Sequence, residues 1–116
     1  MMNSEEKPIR INILGTEYLV IQTTSNECEK LEETFGFFEP FSKKVVIDKK
    51  AEFQKEKLTC ENLGEFKKKL LRHEIIHAFF YESGLDEYSS NEELVEWLAI
   101  QFPKIQKVFE KLELGD

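Results

Sequence analysis

Residues 62–82 read NLGEFKKKLLRHEIIHAFFYE. Leu63, Phe66, Leu70, His73, His77 and Phe80 or Tyr81 recur at helical spacing and share one face. The spacing predicts a helix from Asn62 to about Glu82, with Gly84 as its C-terminal stop. Ahead of it the pattern has the period of strands. Ile9, Ile11 and Ile13 alternate with Arg10 and Asn12, so Ile9 to Leu14 reads as a strand. Gly15-Thr16 is the expected turn, and Tyr18 to Gln22 the second arm of a β-hairpin. Asn26 to Thr34 is predicted as a short helix closed by Gly36. Phe37 to Phe41 contains Pro40 and should be irregular or a short edge strand. Lys44 to Ile47 is the third clear strand. Residues 49–61 are polar and read as loop.

Beyond Gly84, Leu85 to Ser90 is expected to be a loop. Ser90 is placed to cap a further helix, with Glu93 completing a capping box. That helix carries Leu94, Val95, Leu98 and Phe102. Pro103 should break it, kink it or start a new one. Ile105, Val108, Phe109 and Leu112 continue an apolar face. Strands first and helices after indicate an α+β fold: a small antiparallel or mixed sheet followed by helices. The expected organisation is one domain over residues 1–116, with a sheet-rich part at 1–48 and a helical part at 62–114.

Composition agrees with a single core. The chain has 116 residues, 41% hydrophobic and 12% aromatic, with ten Phe. A globule of this size buries about two-thirds of its surface. Disorder is therefore not expected for the whole. The net charge of −7 argues against nucleic acid as the main partner, because phosphate contacts need a basic surface. Charge is uneven: residues 1–42 carry −5, residues 43–72 carry +5 and residues 73–116 carry −7. The basic middle reads as a solvated face or as a dock for an acidic partner. Lys67, Lys68 and Lys69 are expected on the solvent side of the long helix. Cys28 and Cys60 form no CxxC pair, so a reducing, cytoplasmic setting is expected, without a disulfide. The N-terminal residues read as no signal peptide, and no apolar run suggests a membrane span.

The chemistry lies in His73-Glu74-Ile75-Ile76-His77, an HExxH motif that uses both histidines of the chain. Residues four apart on a helix differ by about 6 Å of rise and about 40° of rotation. Both imidazoles can therefore reach one metal ion, while Glu74 stands about 100° aside, near the ion without binding it. Zn²⁺ suits two such nitrogens and prefers four ligands. Composition alone would produce the motif about 0.006 times in such a chain. The bland reading is a pair of hydrogen-bonded polar residues on a helix that contains Glu. The apolar run Ile75, Ile76, Ala78, Phe79 and Phe80 weighs against it, because unpartnered imidazoles there are costly.

No third His exists, so a further ligand must be of another type. Cys28 and Cys60 have no helpful spacing. The carboxylates after the loop are Asp86, Glu87, Glu92, Glu93 and Glu96. A ligand on a second helix packed against the first is the simplest geometry. Glu92 is selected as third ligand, with Glu93 in reserve, and Glu96 as the carboxylate that holds a ligating His by its other ring nitrogen. An acidic first turn answering the helix dipole would also account for all three.

HEIIH, followed one loop later by Glu92-Glu93-Leu94-Val95-Glu96-Trp97-Leu98-Ala99, resembles the gluzincin zinc metallopeptidases, of which thermolysin is the familiar member. A Glu ligand followed four residues later by an acidic residue is that group's spacing, and Glu92 with Glu96 matches it. A small sheet ahead of the HExxH helix is similar to the ImmA/IrrE-type domains frequent in phages and mobile elements. The likeness covers roughly residues 44–102. It implies a zincin-like fold, a zinc cofactor, Glu74 as general base and a protein or peptide substrate. The strand Val45 to Ile47, if exposed, would take an extended peptide by strand addition on that analogy. Only 14 residues separate His77 from Glu92, which leaves little chain for a cleft. The second functional class is therefore a zinc-binding interaction module with little turnover. Tyr88 could reach the site from its loop, or simply pack. Trp97 and the run Phe35, Phe37, Phe38, Phe41 read as core or as a lid over the helices.

Overall fold

The computed structural model describes residues 7–49 and 63–115. Strands β1 (Ile9–Ile13), β2 (Thr16–Thr23), β3 (Gly36–Glu39) and β4 (Lys44–Asp48) form one mixed sheet in the order β1-β2-β4-β3. Helices α1 (Leu63–Glu82), α2 (Asp86–Ser89) and α3 (Glu92–Lys111) follow. The fold is α+β. The expected loop over 49–61 lies outside the described residues, except for Lys49.

The hairpin turns one residue earlier than expected. Ile13 pairs with Thr16, so Leu14 and Gly15 form the turn, with φ of 53° and 94°. Two positive φ values are what a two-residue hairpin loop needs to follow the strand twist. Asn12 Oδ1 accepts the Gly15 N–H at 2.9 Å. The hairpin of β3 and β4 then lays β4 beside β2 in parallel, with Val20 opposite Val45.

This corrects the reading of Val45 to Ile47 as an exposed strand. β4 is paired on both sides, and Val45, Val46 and Ile47 are buried. The edges are β1 and β3, the latter followed by Pro40. Over residues 26–34 the structure forms a 3₁₀ turn, Glu29–Glu32, rather than an α-helix. Cys28 offers its first turn no side-chain cap, and Leu31 is its one buried anchor. The segment lies over one sheet face, sharing a cavity with Ile21, Phe37 and Val46.

α1 covers the opposite face. Ala78 is fully buried against Ile13 and Tyr18, with Ile11, Phe38 and Ile75 around them. Glu82 ties the C-terminal end of α1 to the sheet. It accepts from Thr16 Oγ1 at 2.9 Å, Tyr18 OH at 2.6 Å and Lys43 Nζ at 3.0 Å. Those bonds hold its carboxyl below the usual range, whereas burial and then the Glu82 bond push the Tyr18 phenol up. Gly84, at φ 79°, ends α1 as expected. Its N–H bonds to Tyr81 O, and the Leu85 N–H bonds to Phe80 O. That pair of bonds satisfies the last carbonyls of the helix.

The connection to α3 is the short helix α2 rather than a loop. Asn91, not Ser90, caps α3: its Oδ1 accepts the Leu94 N–H at 3.0 Å. Glu92 is then the first helical residue, and Glu93 has no capping-box role. α3 runs through Pro103. Proline removes the N–H that would bond to the carbonyl four residues back. That carbonyl belongs to Ala99, and it accepts instead from Arg72 Nε at 2.7 Å. A side chain of α1 thus satisfies the group that Pro103 leaves unpaired. Arg72→Leu should cost about 1–3 kcal/mol, the penalty of an unsatisfied buried carbonyl. Thermal unfolding would check this; an unchanged midpoint would mean water replaces the guanidinium.

Two further expectations are corrected. Trp97 and Phe41 are exposed, at 53% and 92%, so neither is core. Lys69 does not point to open solvent but toward α3, where it meets Glu96 at 2.6 Å. Lys68 is the solvent-facing member, paired with Glu65 at 3.6 Å.

Candidate metal centre

α1 presents His73 and His77 one turn apart, with ring centroids 4.9 Å from each other. The first turn of α3 brings Glu92 to both. Its Oε1 is 2.9 Å from His73 Nε2, and its Oε2 is 3.3 Å from His77 Nε2. One ligand atom from each residue lies within 4.8 Å of the others, close enough to surround one ion. Glu93 is exposed and takes no part in this group; Asp86 and Glu87 are also exposed. Cys28 belongs to the far side of the sheet, and Cys60 lies outside the described residues.

The outer nitrogens fix both rings. His77 Nδ1 is 2.6 Å from Ser89 O. A carbonyl only accepts, so Nδ1 carries the proton, and Nε2 of the neutral ring bears a lone pair. Ser89 Oγ donates back to His77 O at 3.0 Å, which locks α2 against α1. His73 Nδ1 donates in the same way to Glu96 Oε1 at 2.8 Å. Glu96 in turn accepts from Lys69. Partial burial raises its carboxyl, but the bonds from Lys69 and His73 outweigh this and hold it below the usual range. Phe38 stacks on the His77 ring at 6.2 Å with an interplanar angle of 4°.

This donor set fits a divalent cation. In the neutral rings both Nε2 atoms are acceptors, and they face an acceptor carboxylate at 2.9 and 3.3 Å. Acceptors converging on one point need a proton or a metal between them. Two imidazole nitrogens and one carboxylate oxygen, with outer partners on both rings, suit zinc.

Glu74 sits on α1 between the two histidines and outside the group. It is 6% exposed. Burial pushes its carboxyl up to about 7; the nearby His73 works against this, and Glu92 adds to it. A cavity of about 270 Å³ opens beside it, walled by Phe35, Gly36, Phe66, Leu70, His73 and Glu74. β3 approaches so closely here that a side chain at Gly36 would be crowded. A methyl there would stand 3.0 Å from Val46 O, 3.2 Å from Ile47 Cγ2 and 3.4 Å from Glu74 Oε2. Gly36→Ala should destabilise the fold by about 1–3 kcal/mol through overpacking. Denaturant titration would check it; a neutral result would show that β3 moves outward freely.

The residues missed by sequence reasoning are Ser89, Lys69 and Gly36. Ser89 acts chiefly through its carbonyl, which every residue has, so no residue-type signal marks it. Tyr88 packs its ring on Phe80 at 5.9 Å, as the simpler reading has it.

No protein-family model, curated protein or solved structure matches the chain in comparisons with known proteins. Among the described residues no helix is long and apolar enough to cross a membrane.

Proposed function

We propose that the chain is a zinc-dependent peptidase with a zincin-like fold. The observation that carries this is the convergence of His73, His77 and Glu92 beside a buried carboxylate, Glu74, that belongs to none of their contacts. A site that only holds a metal has no use for that carboxylate. Among the described residues Glu74 has no hydrogen-bond or ion-pair partner, and burying a carboxylate without one is costly. The likeness of HEIIH and Glu92-x-x-x-Glu96 to gluzincins supports the same reading.

Zinc, when bound, supplies a Lewis acid that acidifies water and polarises a carbonyl. The chain supplies the rest. His73, His77 and Glu92 hold the ion; Glu96 and the Ser89 carbonyl keep the two rings oriented. Glu74 takes a proton from the attacking water and delivers it to the departing amine. Its raised affinity for protons suits both halves of that transfer. The outer edge of β3, beside the cavity, has no strand paired to it among the described residues. An extended peptide would bind there by strand addition, in place of the buried β4.

The test is metal content. Untagged protein should hold about one zinc per chain. Glu92→Gln should weaken zinc binding by more than about 100-fold. Glu93→Gln should bind as the unaltered chain does. No uptake of supplied zinc would overturn the proposal. A loss confined to the Glu93 variant would assign the third ligand to the other carboxylate. A zinc-loaded chain that cleaves no peptide from an unbiased peptide library would leave the interaction-module reading.

A further inference from the structure

We propose that the chain pairs with a second copy of itself through α3. Leu98, Phe102, Ile105, Phe109 and Leu112 recur at intervals of four, three, four and three. That alternation is the heptad seam by which one helix packs along another. α1 occupies only the N-terminal part of α3. There Val95 and Ala99 are fully buried. Farther along, Phe102 is 49% exposed, Phe109 47% and Leu112 61%. Among the described residues the seam therefore continues past its partner within the chain.

Where the two helices part, they leave an apolar groove of about 550 Å³, walled by Ile76, Phe79 and Phe80 of α1 and Leu98 and Phe102 of α3. Within α3 the positions flanking the seam are Ala99, Gln101, Gln106 and Val108, none of them charged, so another seam of the same kind can approach there without like-charge repulsion; the next flanking position, beyond the helix, is the acidic Glu113.

An antiparallel two-fold arrangement fits both features. With the axis between Phe102 and Ile105, Phe109 and Leu112 of each copy reach Leu98 and the groove of the other. Both grooves fill by one operation, as an isologous interface requires. Among the described residues the one charged side chain that lines the groove is Arg72. No ion pair is found for it among the described residues, and its Nε is occupied by Ala99 O. The same arrangement delivers Glu113, two residues beyond the end of α3, to that side of the groove. Glu113 carries φ 58° and closes the helix end. A parallel arrangement would leave both C-terminal seams beyond reach of either groove.

The proposal stands independently of the metal chemistry. Its test is the mass of the full chain by sedimentation equilibrium, with and without chelator, at concentrations up to about 200 µM, where small interfaces associate. The expected result is a shift from 13.7 kDa to twice that value in both conditions. Phe109→Asp and Leu112→Asp should each weaken association by at least about tenfold. Both side chains are outside the buried core, so at dilutions where every variant is a single chain the thermal midpoint and zinc uptake should not change. Glu113→Arg should weaken association severalfold, while Lys107→Glu, on the far face of α3, should not. A mass of one chain at every concentration would overturn the proposal. A dimer indifferent to Phe109→Asp and Leu112→Asp would overturn it too, by placing the interface elsewhere.

Discussion

His77→Ala should lose zinc almost completely, with affinity falling by more than about 100-fold. His77 supplies more than one nitrogen to the site. The residue is 8% exposed, with its ring stacked on Phe38 and bonded through Nδ1 to Ser89 O. Alanine removes a metal ligand and leaves the Ser89 carbonyl without its donor. That second effect costs about 1–3 kcal/mol even in the metal-free chain. The two losses separate experimentally. Metal content by elemental analysis reads the first, and unfolding in chelator reads the second. His73→Ala is the companion variant, because its outer nitrogen meets a half-exposed carboxylate, Glu96, rather than a buried carbonyl. It should lose zinc equally but unfold more nearly like the unaltered chain in chelator. If either single variant kept a full complement of zinc, the ion would not sit between these rings.

What could be read from the sequence was whatever residue type alone decides. The alternation of Ile9, Ile11 and Ile13 gave a strand. The helical period over 63–82 and the left-handed preference of Gly84 gave α1 and its end. The pair His73 and His77 fixed the candidate ligands, because two imidazoles one turn apart share a direction on any helix. What could not be read depended on partners distant in the chain. Whether β4 was an edge rested on how the β3–β4 hairpin folded back, and no local pattern encodes that. Pro103 reads as a break because its missing N–H orphans Ala99 O. The helix continues because Arg72 reaches that atom from 27 residues away. Ser90 and Asn91 are both good caps, and the choice moved the helix start by one residue. Lys69 looked like one of three solvent lysines until α3 placed Glu96 against it.

Glu74→Gln is the substitution with two opposite consequences. In the proposed mechanism Glu74 moves the proton, so glutamine should lower turnover by about 10²–10⁴-fold while zinc stays bound. In the metal-free chain the same change should raise stability, and the sign follows from burial. An ordinary carboxyl titrates near 4.5, and this one is pushed up to about 7. Below about pH 4.5 it is protonated both folded and unfolded, and burial costs no charge. Between 4.5 and 7 the unfolded chain ionises while the folded one holds its proton. Stability therefore falls as pH rises through that window, by about 3 kcal/mol in all. Glutamine is neutral throughout and escapes the loss. In chelator the variant should melt about 10–12 °C above the unaltered chain at pH 8, and near it at pH 4. Calorimetry at the two pH values checks this without any knowledge of the substrate. A variant that melts lower at pH 8 would mean the carboxylate has a partner that stabilises its charge. In that case Glu74 would be a structural anion and not a base held in reserve. Higher stability at pH 8 together with retained zinc would mark Glu74 as a group kept buried at a cost to the fold, as a residue placed for proton transfer should be.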